Sequence, residues 1–245
     1  PKYAKEKLKN IHSDVLSTYY GCGLVIPDCL ENANVLDLGC GTGRDVFLLS
    51  QFVGEEGNIV GVDMTDNQLK IANDNLDYHI QKFGYSRNNI EFKKCNIEDI
   101  DKITFPIKFN VVVSNCVINL CQDKRKVLKN IYDLLETGGE FYFSDVYSSQ
   151  RMPKNLKNDP VIWGECLGGA LYWNDFLNMA KDAGFGDPRL VKSNQIDIRK
   201  NTTLSSILNN TSIVSNNTYP FFGYIIRRDS FNGIQNTITF NPNDF

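Results

Sequence analysis

Over its first 150 residues this chain alternates short apolar runs with stretches of helical periodicity, and that alternation constrains the fold more than any other feature. Strands that alternate with helices are joined by crossovers, and crossovers build a parallel sheet covered on both faces. The runs NVLDLG (34–39), NIVGVDM (58–64), NIEFKKC (89–95), NVVVSNC (110–116) and EFYFSDV (140–146) predict strands. Helical patterns near 44–53, 66–83 and 122–136 lie between them, the last expected to stop at Gly138-Gly139, because glycine commonly ends helices. The expected fold class is α/β: a doubly wound, mostly parallel sheet over residues 1–150, then a smaller C-terminal α+β unit over 151–245. The second unit would hold a turn-rich aromatic stretch (MPKNLKNDPVIWGECLGGALYW), a helix over 174–183 and a β-like tail from Ile196.

Charge and composition exclude several roles. The formal charge is -3, and the 26 Lys and Arg are scattered along the chain, so no basic stripe exists to neutralise a phosphate backbone. Nucleic acid is not an expected partner, and neither is a membrane, since no apolar run approaches the ~18 residues a spanning helix needs. The opening PKYAKEKLKNIHSDVL reads as a charged amphipathic helix rather than a signal sequence. The first residue is not methionine, which leaves an upstream segment open. Seven cysteines, at 22, 29, 40, 95, 116, 121 and 166, include no CxxC pair, a usage that fits a reducing, cytoplasmic setting. The sequons at Asn201, Asn209, Asn210 and Asn216 read as compositional bias in an exposed linker.

The run VLDLGCGTGRD puts Gly39, Gly41 and Gly43 between the first strand and a helix, where a ligand's polar end can approach the backbone. The nicotinamide fingerprint needs a glycine at position 44, and Arg44 stands there. Asp37 precedes the loop, and Asp63 closes the second strand, where a carboxylate can accept both ribose hydroxyls. With the KCNIED stretch, these features resemble the Rossmann-like class I S-adenosylmethionine-dependent methyltransferases. That resemblance implies S-adenosylmethionine as cofactor, with Ile97 and Glu98 of KCNIED beside its adenine and Gln68 on the following helix in contact with it.

Methyl transfer to oxygen or nitrogen usually needs a base or a metal. Both histidines, His12 and His79, fall within helical patterns among polar neighbours, and Asp145 alone is no carboxylate cluster. The pocket side instead offers thiols: Cys116 ends the fourth strand, Cys166 sits in GECLGG, and Cys22 in YYGCG. Each alone reads as a buried thiol. Three that converge would select a soft, thiophilic acceptor. Cys40 and Cys95 read as core or loop residues, Cys121 as a packing residue that could instead be a spare thiol near the site, and Cys29 has no assigned role; Trp163, Tyr172 and Trp173 read as core aromatics that could instead exclude water. Glu165 and Asp145 read as carboxylates without a necessary role.

YYGCGLVIP, GVDMT, SNCVINL, GGEFYFSDVY and WGECLGGALYW closely resemble the arsenite methyltransferases, from Pro1 to about Ile198. The resemblance implies that Cys22, Cys116 and Cys166 bind trivalent arsenic and that Tyr20, Asp63 and Met64 contact the cofactor. It implies a thiol reductant of the glutathione or thioredoxin type as co-substrate, arsenic arriving as a thiol conjugate, and a monomer. It further implies a cysteine upstream of Pro1 that pairs with Cys22 during turnover. Two other readings remain open: an O- or N-methyltransferase for small molecules, and a metalloid-binding module without turnover.

Overall fold

A computed structural model describes residues 2–19, 23–148, 151–152, 154–164, 166–186, 188–196 and 219–227. Tyr20, Cys22, Glu165 and the four sequons fall outside these residues. Two short helices, α1 (Lys2–Leu8) and α2 (Ser13–Ser17), precede β1 (Asn34–Leu38), α3 (Arg44–Val53), β2 (Asn58–Asp63), α4 (Asp66–Asp74), α5 (Leu76–Phe83) and β3 (Ile90–Lys94). A 3-10 helix at 97–102, β4 (Phe109–Asn115), a 3-10 turn at 118–120, α6 (Lys124–Leu134) and β5 (Leu135–Ser148) follow. The remainder is α7 (Lys154–Lys157), α8 (Pro160–Gly164), β6 (Leu171–Tyr172), α9 (Trp173–Asp182), β7 (Arg189–Ile196) and β8 (Tyr219–Arg227).

Among the described residues these strands form one sheet in the order β3-β2-β1-β4-β5-β8-β7, with β6 paired to the end of β5. The stretch from β3 to β5 is parallel. The same sheet continues with β8 antiparallel to β5 and β7 antiparallel to β8. The period-two alternation of strand side chains sorts the core into two layers. Leu36, Leu38, Val60, Val112 and Phe141 pack with α6 and α9 on one face; Val35, Ile59, Val111 and Val113 pack with α3 on the other. The chain runs outward from β1 in one direction and resumes at β4 in the other, so the crevice beyond the carboxyl ends of β1 and β4 is the topological switch point.

Three local expectations need correction. The helix expected over 66–83 breaks at Asn75 (φ -101°, ψ 2°). The Asn75 side-chain amide donates to the Ile71 carbonyl at 2.9 Å, the kind of local bond that competes with helix continuation. His79, read from the sequence as a helical residue among polar neighbours, has no exposed surface. Gly138 and Gly139 lie inside β5 rather than past a helix end. A Cβ on Gly139 would sit 3.0 Å from the carbonyls of Asn110 and Glu136, beside the register shift between Phe109 and Val111, so Gly139 serves strand approach, while Gly138 supplies a positive φ of 83°.

Candidate active site

The glycine loop turns because its residues permit it. Gly39, Gly41 and Gly43 all have positive φ (76°, 54° and 83°), and a Cβ on Gly39 would sit 2.3 Å from Val117 Cγ2. The backbone N–H groups of Gly39 and Cys40 donate to the Val62 carbonyl at 2.8 and 3.0 Å, which ties the loop to β2. Asp63, at the end of β2, accepts from the Gly41 N–H (2.9 Å) and the Thr65 N–H (2.8 Å). Above the loop lies a cavity of about 290 Å³ whose walls include Asp37, Gly39, Gly41, Asp63, Gln68 and Cys116.

Its electrostatics favour a cation. Asp37, Asp45 and Asp63 line it, while Arg44 is committed to Asp45 through contacts of 2.7 Å from Nε and 2.5 Å from Nη2. Burial, reinforced by the charges of Asp45 and Asp63, pushes the Asp37 carboxyl well above the usual carboxylate range. A positively charged ligand would reverse that shift.

The segment leading to Cys22 is fastened on both sides. Thr42 Oγ1 donates to the Val15 carbonyl at 3.0 Å, and the Arg44 guanidinium stacks 3.2 Å over the Tyr19 ring. Burial raises the Tyr19 phenol to about 12, so it remains protonated and donates to the Gly23 carbonyl at 2.9 Å. The Asn115 side-chain amide lies 2.7 Å from Tyr19 Oη, 2.9 Å from the Gly23 carbonyl and 3.0 Å from Asp45 Oδ2. Cys116, next in the chain, lines the cavity and is buried and disulfide-bonded. Cys166 Sγ lies 3.6 Å from the Cys116 carbonyl. Both residues hold φ near +60°, a region that non-glycine residues occupy only when their surroundings hold them there.

Of the sequence-predicted residues, Asp37, Gly39, Gly41, Asp63, Gln68 and Cys116 come together at the cavity. Cys166 stands against Cys116, and Gly43 sits behind the loop as the N-cap of α3. Cys22 and Tyr20 lie outside the described residues. Met64 points outward at 63% exposure, and Ile97 is packed into the core. Glu98 accepts from the backbone N–H groups of Gln122 and Asp123 at 3.1 and 2.7 Å. These three are not among the residues that line the cavity. Asp145, read as a carboxylate without a necessary role, is fully buried. Sequence reasoning passed over Tyr19, Arg44, Asp45 and Asn115. The available signal was an Arg-Asp pair directly after the third glycine and an amide directly before Cys116.

Residues 30–184 match the family described as "Methyltransferase domain". The chain is 47% identical to mouse arsenite methyltransferase over 216 residues, covering 88% of this chain and 57% of that protein. It is 51% identical to the arsenite methyltransferase of Aquipseudomonas alcaligenes over 199 residues, covering 81% and 57%. It superposes on the crystal structure of an arsenic(III) S-adenosylmethionine methyltransferase from Chlamydomonas reinhardtii with a TM-score of 0.82, at 38% identity, over 95% of this chain and 75% of that one. The chain belongs to the arsenite methyltransferase family. It spans little more than half the length of these curated arsenite methyltransferases.

The cavity fits the S-adenosylmethionine that the resemblance to arsenite methyltransferases implies. Among the described residues, Gln68 Oε1 and Asn115 Oδ1 are buried acceptors without a partner, and both side chains line the cavity. Unmet acceptors beside three carboxylates suit a ligand that carries positive charge and N–H or O–H donors. The described residues contain no group of three His, Cys, Asp or Glu side chains that could hold a metal ion, so a three-thiol site would require Cys22.

Proposed function

We propose that this chain transfers methyl groups from S-adenosylmethionine to trivalent arsenic held by the thiolates of Cys22, Cys116 and Cys166. The observation that carries the reading is the placement of Cys116 in the wall of a cation-suited cavity, with the Cys166 sulfur 3.6 Å from its carbonyl. The bond from Asn115 to Gly23 supports the third ligand, because it joins the neighbours of Cys116 and Cys22. Asp63 would accept from the ribose hydroxyls, while Asp37, Gln68 and Asn115 would receive the cofactor's donors and charge. Tyr20, Gly39, Gly41 and Gly43 would complete its bed; from the family resemblance, Ile97 and Glu98 would lie on the adenine side and Met64 would contact the cofactor, outside the residues that now line the cavity. Residues 1–150 would serve as the cofactor unit and 151–245 as the bearer of the Cys166 loop and the tail.

When bound, S-adenosylmethionine supplies a methyl carbon on a positively charged sulfur. Three thiolates leave arsenic pyramidal, with a lone pair the protein can aim. The pair forms the arsenic–carbon bond, and the electrons of the broken carbon–sulfur bond stay on the departing sulfur, so no residue has to remove a proton. Arsenic is formally oxidised by two electrons, which a thiol reductant of the glutathione or thioredoxin class returns. The same reductant would open the disulfide at Cys116, which must be reduced before it can bind arsenic. The substrate would reach the thiols as a thiol conjugate of trivalent arsenic, in a cytoplasmic monomer.

The deciding experiment incubates the protein with arsenite, S-adenosylmethionine and a thiol reductant and then determines arsenic speciation. Methylated arsenic is expected. Tight arsenite binding without methylated product would leave a metalloid-binding module, and activity toward an oxygen or nitrogen acceptor that survives thiol alkylation would favour a small-molecule methyltransferase.

A further inference from the structure

Beside Cys116 and Cys166 lies a buried polar cluster with no part in the chemistry above. Asp145, on β5, is fully buried and accepts from the Asn119 N–H (2.9 Å) and the Val146 N–H (3.0 Å). On the other side of the 118–120 turn, the buried Lys124 ammonium donates to the carbonyls of Asn119 (3.1 Å) and Cys121 (2.6 Å). Asn119 is thus held at both its N–H and its C=O, three residues after Cys116. Its side-chain amide donates to the Val146 carbonyl (2.6 Å) and to the carbonyl of Cys166 (3.2 Å). The loop that carries Cys166 also presses on Asn119 from outside: a Cβ on Gly169 would fall 1.7 Å from the Asn119 carbonyl oxygen.

We propose that Asn119 is the positioning residue that sets the spacing of Cys116 and Cys166 for two-thiol binding of trivalent arsenic, by anchoring the Cys166 backbone to the turn that follows Cys116. The proposal rests on the arsenic reading above. Asn119 touches neither arsenic nor cofactor in it. Two cysteines at φ near +60° need surroundings that hold them, and the Asn119 amide is a direct side-chain tether from one cysteine's turn to the other's backbone. Asn119 Oδ1 is buried without a partner among the described residues. A polar group serving packing alone would be expected to satisfy both ends of its amide.

The test uses fully reduced full-length chain and phenylarsine oxide, an arsenical with two valences open to thiols, titrated calorimetrically. S-adenosylhomocysteine affinity and the rate of Cys166 alkylation by iodoacetamide, a one-thiol reaction, are measured alongside. Asn119→Leu should lower phenylarsine oxide affinity tenfold or more, leave S-adenosylhomocysteine affinity within twofold of the parent, and leave Cys166 no slower to alkylate. Parental phenylarsine oxide affinity in this variant overturns the proposal, as does an equal loss of alkylation. If Asn119→Leu loses S-adenosylhomocysteine binding, Gly169→Ala decides: it pushes the same loop off Asn119, and the same split is expected, with parental arsenical affinity overturning the proposal. If the parent itself does not bind phenylarsine oxide through two thiols, the arsenic reading fails and takes this proposal with it.

Discussion

The Asn115 side-chain amide donates to the Gly23 carbonyl at 2.9 Å, across 92 residues of chain. Gly23 follows Cys22 and Asn115 precedes Cys116, so one hydrogen bond links the flanks of two proposed arsenic ligands. The N-terminal segment reaches that point along a path fastened by the bonds of Thr42 to Val15 and Arg44 to Gly23.

This linkage bears on a test by valence. Inorganic trivalent arsenic has three positions for sulfur, and the monomethylated trivalent species has two. Cys116 and Cys166 stand together on the sheet side, so in the proposed site Cys22 is the ligand assigned the optional position. Cys22→Ser should lose most methylation of arsenite but keep methylation of the monomethylated trivalent substrate. Cys116→Ser and Cys166→Ser should lose both. Product assays on both substrates check this, and equal impairment of the two by Cys22→Ser would sink the optional-ligand assignment.

Asp63→Ala should weaken cofactor binding, through loss of charge-assisted hydrogen bonds worth ~1.5–3 kcal/mol each and release of the Gly41 N–H it now holds. Arsenite affinity should stay nearly unchanged. Calorimetric titration of S-adenosylhomocysteine is the measurement, and equal affinity in mutant and parent would reject the role given to Asp63.

Gly39→Ala should damage both halves of the site. Its Cβ would overlap Val117, next to Cys116, at φ 76°, costing roughly 2–5 kcal/mol from backbone strain and overpacking together. Thermal unfolding should show the loss, with weaker S-adenosylhomocysteine binding in what remains folded. A variant with parental melting temperature would mean that Val117 yields freely.

Elements whose cues are local were legible in the sequence. The glycine loop announces itself because positive-φ residues cluster between an apolar run and a helix, and α3 runs over the expected 44–53. The break at Asn75 was not legible, because it depends on a side chain bonding Ile71 and on His79, four residues on, bonding the Asn75 carbonyl. Nothing in QLKIANDNLDYHIQKF distinguishes that from a continuous helix. Arg44 over Tyr19 and Asn115 on Gly23 are long-range pairings that no periodicity encodes. Asp145 read as an ordinary carboxylate because the Lys124 and Asn119 around it come from another element.

Cysteines outside the proposed set should affect stability rather than chemistry. Burial pushes the Cys121 thiol up to about 12 and raises Cys95 as well, so neither offers a thiolate at neutral pH. Cys121→Ser should cost ~1–3 kcal/mol for a buried hydroxyl, and Cys29→Ser, at an exposed site, within about 0.5 kcal/mol. Arsenite stoichiometry by titration should match the parent in both, and loss of binding in either folded variant would show the ligand choice to be wrong.

His79 makes stability depend on pH. It stacks on Phe47 with ring centroids 3.6 Å apart, accepts from the His12 N–H at 3.1 Å and bonds the Asn75 carbonyl at 2.6 Å through Nδ1. Burial lowers its pKa from 6.5 to about 4. The unfolded chain therefore binds the proton first as pH falls. The contribution is complete above pH 6.5 and declines toward pH 4, a loss of roughly 3 kcal/mol. Urea unfolding of parent and His79→Gln between pH 7.5 and 4.5 should give a steeper decline for the parent, and parallel slopes would contradict the assignment.

The pairing of β5 with β8 has a consequence for how the chain is made. β5 carries Asp145; its Glu140–Ser144 stretch pairs with β4 on one side, and its Glu140–Val146 stretch with Tyr224-bearing β8 on the other. Until residue 227 has left the ribosome, that stretch is an open edge, a row of unpaired backbone groups on a largely apolar strand and a template for other chains. Translation that stalls, or a protease that cuts, between β7 and β8 would leave Cys116 and Cys166 in the chain but the β5 edge open to aggregation. Among the described residues, β8 thus covers an edge that would otherwise be open to other chains.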